Sequence, residues 1–292
     1  MRYILENASL RVEIDTHGAE IKSIQDKNSA REYMWQADPT YWRRTAPVLF
    51  PFVGSLKNQE YLYEGKRYPM GQHGFARDME FELESQEGTG IWFVLSSNED
   101  TYGRYPFRFE LHIGYILTDR TVTVLWKVCN TDNKDMHFSI GAHPAFLCPV
   151  HGETDKSGYR LYFGDDIDEI HHHGNDNASG MALREDLILP LIDHRAVITP
   201  EFFDRCTYMV ENHQTQVVGL EEPDGKRIVT MQFDAPLFAL WSPEGKNAPF
   251  VCIEPWYGRC DAEDFSGSLS EREYNNSLAP QKTFETSYTM TF

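Results

Sequence analysis

Phe107-Arg108-Phe109-Glu110-Leu111-His112-Ile113-Gly114-Tyr115-Ile116-Leu117, then Thr118-Asp119-Arg120, then Thr121-Val122-Thr123-Val124-Leu125-Trp126-Lys127-Val128: this stretch decides the fold class. Two runs rich in β-branched and aromatic residues flank a three-residue reversal, which predicts a long antiparallel hairpin. The same grammar extends to both ends of the chain. Residues 10–14 alternate, with Leu10, Val12 and Ile14 on one face. Tyr61-Leu62-Tyr63 and Arg67-Tyr68 flank Glu64-Gly65-Lys66 as a second hairpin, and Ile91-Trp92-Phe93-Val94-Leu95 reads as a further strand. Later β-rich runs cover residues 160–163, 216–220, 228–233, 237–241, 250–253 and 286–292, and Glu222-Pro223-Asp224-Gly225 supplies a turn. Helical patterning is scarce; residues 266–276 hold one or two turns at most. Strands recurring about every ten residues without amphipathic helices between them predict an all-β fold, a large antiparallel β-sandwich. No internal repeat or Pro/Ser/Gly-rich linker interrupts residues 1–292, so one domain is expected.

Composition narrows the function classes. The chain has 292 residues, 41% of them hydrophobic, enough for one large core. Lys plus Arg number 27 against 45 Asp plus Glu, a formal charge of −18. Such a surface repels phosphate backbones and anionic membranes, and no basic run is longer than a pair such as Arg43-Arg44, so neither nucleic acid nor membrane is an expected partner. Five cysteines, an odd number with no CxxC pair, suggest a reducing compartment. Met1-Arg2-Tyr3-Ile4 runs into Glu6 and Arg11 without an apolar segment, which makes a soluble, cytoplasmic protein the expectation. The aromatic content of 13% suits a protein whose rings stack on sugar C–H faces, although most of those rings belong to the core.

Three segments carry the chemistry. In His137-Phe138-Ser139-Ile140-Gly141-Ala142-His143-Pro144, alternation puts His137, Ser139, Gly141 and His143 on one face. Small residues there let a ligand approach the backbone, and His143 is either a proton donor at a strand end or a structural histidine. In Gly71-Gln72-His73-Gly74-Phe75-Ala76-Arg77-Asp78, two glycines permit an irregular backbone around His73, and Arg77 can bind a hydroxyl or pair with Asp78. In Phe250-Val251-Cys252-Ile253-Glu254-Pro255-Trp256-Tyr257-Gly258-Arg259, an apolar run predicts a strand buried on both faces, with Glu254 emerging at its end. Burial would raise that carboxyl towards the range of a general base; the alternative is an ion pair with Arg259. His171-His172-His173 reads as a solvated loop. A metal site from His137, His143 and Glu254 lacks a close His-x-His pair, and no G-x-G-x-x-G, Walker or G-x-S-x-G motif is present. No cofactor or metal is expected.

Taken in order, these segments resemble the aldose 1-epimerase (galactose mutarotase-like) family, in particular its LacX-like branch. The resemblance rests on Ala46-Pro47-Val48-Leu49-Phe50-Pro51-Phe52-Val53-Gly54, His73-Gly74-Phe75-Ala76-Arg77, Gly141-Ala142-His143-Pro144-Ala145-Phe146 and Ile253-Glu254-Pro255-Trp256, with His17-Gly18-Ala19-Glu20-Ile21 like the family's opening hairpin. It implies a large twisted antiparallel supersandwich and a cofactor-free isomerase that opens and recloses an aldose ring. By similarity Glu254 matches the catalytic base and His143 the acid. His73 matches a second active-site histidine near the ring oxygen, and Asp204, in Phe202-Phe203-Asp204-Arg205, best matches an aspartate that holds sugar hydroxyls. One departure stands out: Ser55-Leu56-Lys57 follows Gly54, where galactose mutarotases carry a substrate-binding Arg, leaving Lys57, Arg77 or Arg44 to replace it. Arg44, Arg77 and Arg259 also admit a hexose 6-phosphate substrate. A carbohydrate-binding protein without catalysis is the alternative of another class, although binding alone does not require both an acid and a base.

Overall fold

The computed structural model describes residues 1–152, 155–164, 167–176 and 178–292. The hairpin expected at its centre forms, with Phe109–Thr118 paired to Thr121–Asn130 from Thr118↔Thr121 to Phe109↔Asn130. Alternation sets its faces: Val122, Val124, Trp126 and Val128 are buried, while the residues between them are partly exposed. This hairpin sits inside a nine-stranded antiparallel sheet, ordered Arg195–Val197, Arg160–Tyr162, Val217–Glu221, Arg227–Phe233, Thr283–Thr291, Thr121–Asn130, Phe109–Thr118, Gly90–Ser96, Glu82–Glu87. A six-stranded sheet runs Tyr208–Val210, Leu237–Trp241, Phe250–Tyr257, Ile140–Ala142, Val48–Leu49, with Ala145–Leu147 also paired to Phe250–Tyr257. The first three strands, Arg2–Glu6, Leu10–Asp15 and Glu20–Asp26, form a separate meander.

The two large sheets meet through aromatic side chains. Tyr257 lies 6.3 Å from Trp126 and 5.4 Å from Phe284 between ring centres, and Phe50 lies 5.1 Å from Phe109. Such edge-to-face pairs add specific geometry to the buried area. Phe250–Tyr257 is buried along nearly its whole length because both its faces are covered. Val251 and Ile253 turn into the sandwich core, while Cys252, Glu254 and Trp256, on the opposite face, do not join that cluster. Glu254 therefore lies on the side of the sheet away from the core, with Cys252 and Trp256.

Three local expectations change. Phe250–Tyr257 continues through Pro255, so Glu254 stands in mid-strand rather than at its end. The 137–143 segment is two strands, Met136–Phe138 and Ile140–Ala142, in different sheets. The break falls at Ser139, whose N–H turns to Pro51 O at 2.8 Å and whose hydroxyl turns to Asn275 Oδ1 at 3.0 Å. His137 consequently sits near Tyr63 and Phe107, not beside His143. The triple histidine is no solvated loop: Glu169–His172 pairs with Leu187–Pro190, and His172 is buried 4.5 Å from the Tyr208 ring. The one α-helix among the described residues, Glu99–Arg104, is closed by a capping box between Asn98 and Thr101. In residues 266–276 a single 3-10 turn, Leu269–Glu271, forms.

On the outer face of the nine-stranded sheet, the Trp92 indole lies across Gly114, where a Cβ would fall 2.6 Å from the ring. Gly114→Ala must expel that ring, so we expect a loss of about 1–3 kcal/mol in urea unfolding; an unchanged midpoint would show that the indole is not seated there.

Candidate active site

The site begins as a gap in a β-ladder. Residues 250–252 pair with Ala145–Leu147, and Trp256 and Tyr257 pair with Ile140–Ala142. These two partner strands are consecutive in the chain, and only His143 and Pro144 separate them. Ile253 N–H points to that side, 3.4 Å from Pro144 O. By the two-residue period of a strand Pro255 faces the same way, with no N–H to give. The ladder cannot close there, and the chain bulges over the gap carrying His143. The result is His143 Nε2 at 3.3 Å from Glu254 Oε2, with Glu254 only 1% and His143 7% exposed.

The other two motifs converge on the same place. Glu20 accepts the N–H groups of Thr45 at 2.7 Å and Ala46 at 2.8 Å, fixing the chain that leads into Val48–Leu49. Phe50 O then accepts Phe75 and Ala76 N–H, both at 3.0 Å. This close approach needs Gly74: its φ is +68°, and a Cβ would lie 2.3 Å from Phe50 O. His73, itself at φ 66°, donates its N–H to Gly54 O at 2.9 Å and accepts Gly54 N–H on Nδ1 at 3.0 Å. An Nδ1 that accepts requires the ring hydrogen on Nε2, so His73 is held as a neutral Nε2–H donor. Its ring stands 5.6 Å from that of His143.

A pocket of about 320 Å³ opens over these groups, within the range of small-molecule sites. Trp42, Trp241 and Trp256 form aromatic walls, and Trp42 stacks on the His143 ring at 4.7 Å. Trp35 Nε1–H to Trp42 O, 2.9 Å, holds that loop in place. Arg77 reaches in from the His73 loop, with one guanidinium nitrogen on Gln72 O at 2.7 Å. Glu254 Oε2, His143 Nδ1, Trp256 Nε1 and Arg77 Nε are buried and make no well-formed hydrogen bond among the described residues; their neighbours are charged or polar groups at longer range, with Glu254 Oε2 3.3 Å from His143 Nε2, Arg77 Nε 3.9 Å from Asp78 Oδ2 and the Trp256 indole beside Glu254. Four such atoms around one pocket call for a polar ligand that supplies the missing bonds.

Of the residues singled out from the sequence, His73, Arg77, His143 and Glu254 line this pocket together. Asp204 does not: it is exposed and accepts Gly245 N–H at 3.0 Å, closing a surface turn. Arg259 bonds Glu211 and Glu273 instead of Glu254, Arg44 bonds Asp78 at 2.8 Å, and Lys57 Nζ caps Glu263 O and Phe265 O. Sequence reading missed Trp42, Asn175, Thr207 and Met209. Thr207 N–H binds Asn175 Oδ1 at 2.8 Å, and both arrive on non-strand segments with no local pattern to announce them. Trp256 and Gln72 lay inside the quoted motifs without an assigned role.

The sequence model of the family described as aldose 1-epimerase matches residues 1–262. The chain belongs to the aldose 1-epimerase family. It is 29% identical to the plasmid-encoded protein LacX of Lactococcus lactis subsp. lactis, over 98% of both chains. Its fold matches the galactose mutarotase related enzyme of Lactobacillus acidophilus, with a TM-score of 0.93, 35% identity, and coverage of 100% of this chain and 97% of that one. A galactose mutarotase-like protein of Lactobacillus casei ATCC 334 gives a TM-score of 0.91 at 27% identity, covering 100% and 99%. The all-β architecture read from the sequence is that of these structures.

In this epimerase-family pocket, burial sets the proton inventory. Burial pushes the Glu254 carboxyl well above the ordinary carboxylate range. Burial, reinforced by the Arg77 charge, brings His143 down to about 3 and takes His73 well below the usual histidine value. Folded Glu254 and His143 therefore share one proton across a wide pH range. One donor atom each of His143, Cys252 and Glu254 lies within 4.8 Å of the other two, a group of metal-ligand types at the pocket floor; burial raises the Cys252 thiol well above its ordinary value and keeps it protonated.

Because Glu254 keeps its proton longer folded than unfolded, its burial costs stability as pH rises above about 4.5. The two histidines act in the opposite sense, costing stability as pH falls below about 6.5. Glu254→Gln is expected to unfold at a higher temperature than the wild type at pH 8, with the difference shrinking towards pH 4.5. Equal melting temperatures throughout would mean that the carboxyl is not desolvated.

Proposed function

We propose that this protein is an aldose 1-epimerase, interconverting the α and β anomers of a hexose or related sugar by general acid–base ring opening. The observation that carries the proposal is the desolvated His143–Glu254 pair, 3.3 Å apart, at the floor of an aromatic-walled pocket. The proton the pair holds has two arrangements, on Oε2 or on Nε2. With it on His143, the Glu254 carboxylate takes the proton of the anomeric hydroxyl while the imidazolium protonates the ring oxygen. The C1–O5 bond breaks as C1–O1 becomes a carbonyl. Rotation about C1–C2 presents the other carbonyl face; Glu254 then returns its proton to O1 as His143 recovers one from the C5 hydroxyl. No net proton leaves the pocket. His73 Nε2–H and Arg77 are the donors for the ring oxygen and neighbouring hydroxyls, and the Trp42, Trp241 and Trp256 walls suit the C–H faces of a pyranose.

A second reading rests on Arg77. Its Nε makes no hydrogen bond and lies 3.9 Å from Asp78 Oδ2, so the guanidinium keeps donors for an anionic substituent as well as a hydroxyl, which favours a hexose 6-phosphate. Polarimetry across aldoses with and without a 6-phosphate separates the two: Arg77→Gln should raise KM for phosphorylated sugar far more than for neutral sugar if phosphate is read there.

Glu254→Gln and His143→Gln should each lower kcat about 10²–10⁴-fold with the fold retained. An undiminished mutarotation rate in Glu254→Gln overturns the assignment. Sugar binding by calorimetry with no acceleration in the wild type would instead identify a binding protein.

A further inference from the structure

A second cluster of donors lies on the outer face of the nine-stranded sheet, on the side away from the sandwich core. Glu110 and His112 are two apart on Phe109–Thr118 and share a face, and Cys129 stands directly opposite Glu110 on Thr121–Asn130. One donor atom of each lies within 4.8 Å of the other two. His112 Nε2 is 3.5 Å from Glu110 Oε2, and its Nδ1 is 2.9 Å from Glu84 Oε2. Both partners are carboxylates, which only accept; in the neutral ring the shorter contact, to Glu84, holds the hydrogen on Nδ1 and leaves the Nε2 lone pair on the Glu110 side, where a cation between them would satisfy both.

Glu84 is in place because the ladder between Glu82–Glu87 and Gly90–Ser96 slips: Leu83 pairs with Phe93 and Ser85 with Trp92, leaving Glu84 as the extra residue of a bulge. Bulges re-aim side chains in this way. The surroundings are otherwise spare: Lys127 faces His112 in the register and is matched on its far side by Glu285, and Thr283 Oγ1 is 3.5 Å from Cys129 Sγ. The Cys129 thiol is free and half-buried, and the Glu110 side chain is exposed, so the group is reachable from solvent.

We propose that Glu110, His112 and Cys129 form a binding site for a soft divalent cation of the zinc type, with Glu84 as the carboxylate that orients the imidazole. Around one tetrahedral Zn²⁺ the donors stand about 3.3–3.8 Å apart, given metal–ligand lengths of about 2.0–2.3 Å. Small side-chain adjustments on rigid strands reach that spacing from the present one. A mixed N, O and S set with a thiolate selects zinc-like over hard cations such as Mg²⁺ or Ca²⁺. The carboxylate–histidine arrangement at Nδ1 is the partner that metal-bound imidazoles use. Binding displaces the thiol proton to solvent, and thiolate plus carboxylate neutralise the ion. The cation would clip the open end of the central hairpin, remote from its turn at residues 119–120.

Co²⁺ titration of the reduced protein tests this. The expected result is a thiolate-to-metal charge-transfer band that disappears in Cys129→Ser and persists in Cys252→Ser, which separates this site from the pocket triad. His112→Gln and Glu84→Gln should weaken binding by roughly 10–100-fold. Zn²⁺ should raise the melting temperature of the wild type but not of Cys129→Ser. A band retained in Cys129→Ser, no band in the wild type, or an affinity unchanged in both His112→Gln and Glu84→Gln overturns the site.

Discussion

The structure turns on one unformed hydrogen bond. Pro255 has no N–H to offer on the side where Ile253 reaches Pro144, and around that vacancy the partner of Phe250–Tyr257 divides into two short strands. His143 occupies the division, and its imidazole meets Glu254. An ordinary ladder at this position would draw residues 142–145 into the sheet, where His143 would alternate with its neighbours instead of standing over the carboxyl. Burial of the pair costs stability, and the cost is tolerated because the strand beneath is covered on both faces and cannot easily bend away. Stability given up at a buried polar pair and recovered in the scaffold is the usual exchange between the two.

The scaffold was largely legible because its signals are local. The 109–130 hairpin follows from alternation and a turn, and the hydrophobic run at 250–253 reveals a strand buried on both faces. Where reading failed, a non-local bond prevailed. Ser139 looks like the middle of one strand, yet its backbone and side chain are claimed by Pro51 and Asn275, and this separates His137 from His143. Pro255 reads as a strand terminator, but the neighbouring strand Leu237–Trp241 carries the pairing past it.

The convergence of His73, Arg77, His143 and Glu254 on one pocket was legible for the same reason as the hairpin: they sit in motifs whose glycines and prolines mark unusual backbone. Asp204 was misplaced because an aspartate beside a turn looks alike whether it binds a ligand or, as with Gly245 N–H, closes the turn itself. Asn175, Thr207 and Met209 carry no such marks. Only tertiary pairing, such as that of His173 with Met209, brings them to the pocket.

That pairing divides the labour of the cavity. Its base is ladder and strand, tied at Glu20, Gly54 and Phe50 by hydrogen bonds to main-chain groups that tolerate little alteration. The opposing wall at Asn175 and Thr207 is carried on segments outside the named strands, where a side-chain bond, Thr207 N–H to Asn175 Oδ1, takes the place of a ladder. Substitutions along that wall can therefore reshape the mouth of the cavity while the strands that hold His143 and Glu254 beneath it stay as they are.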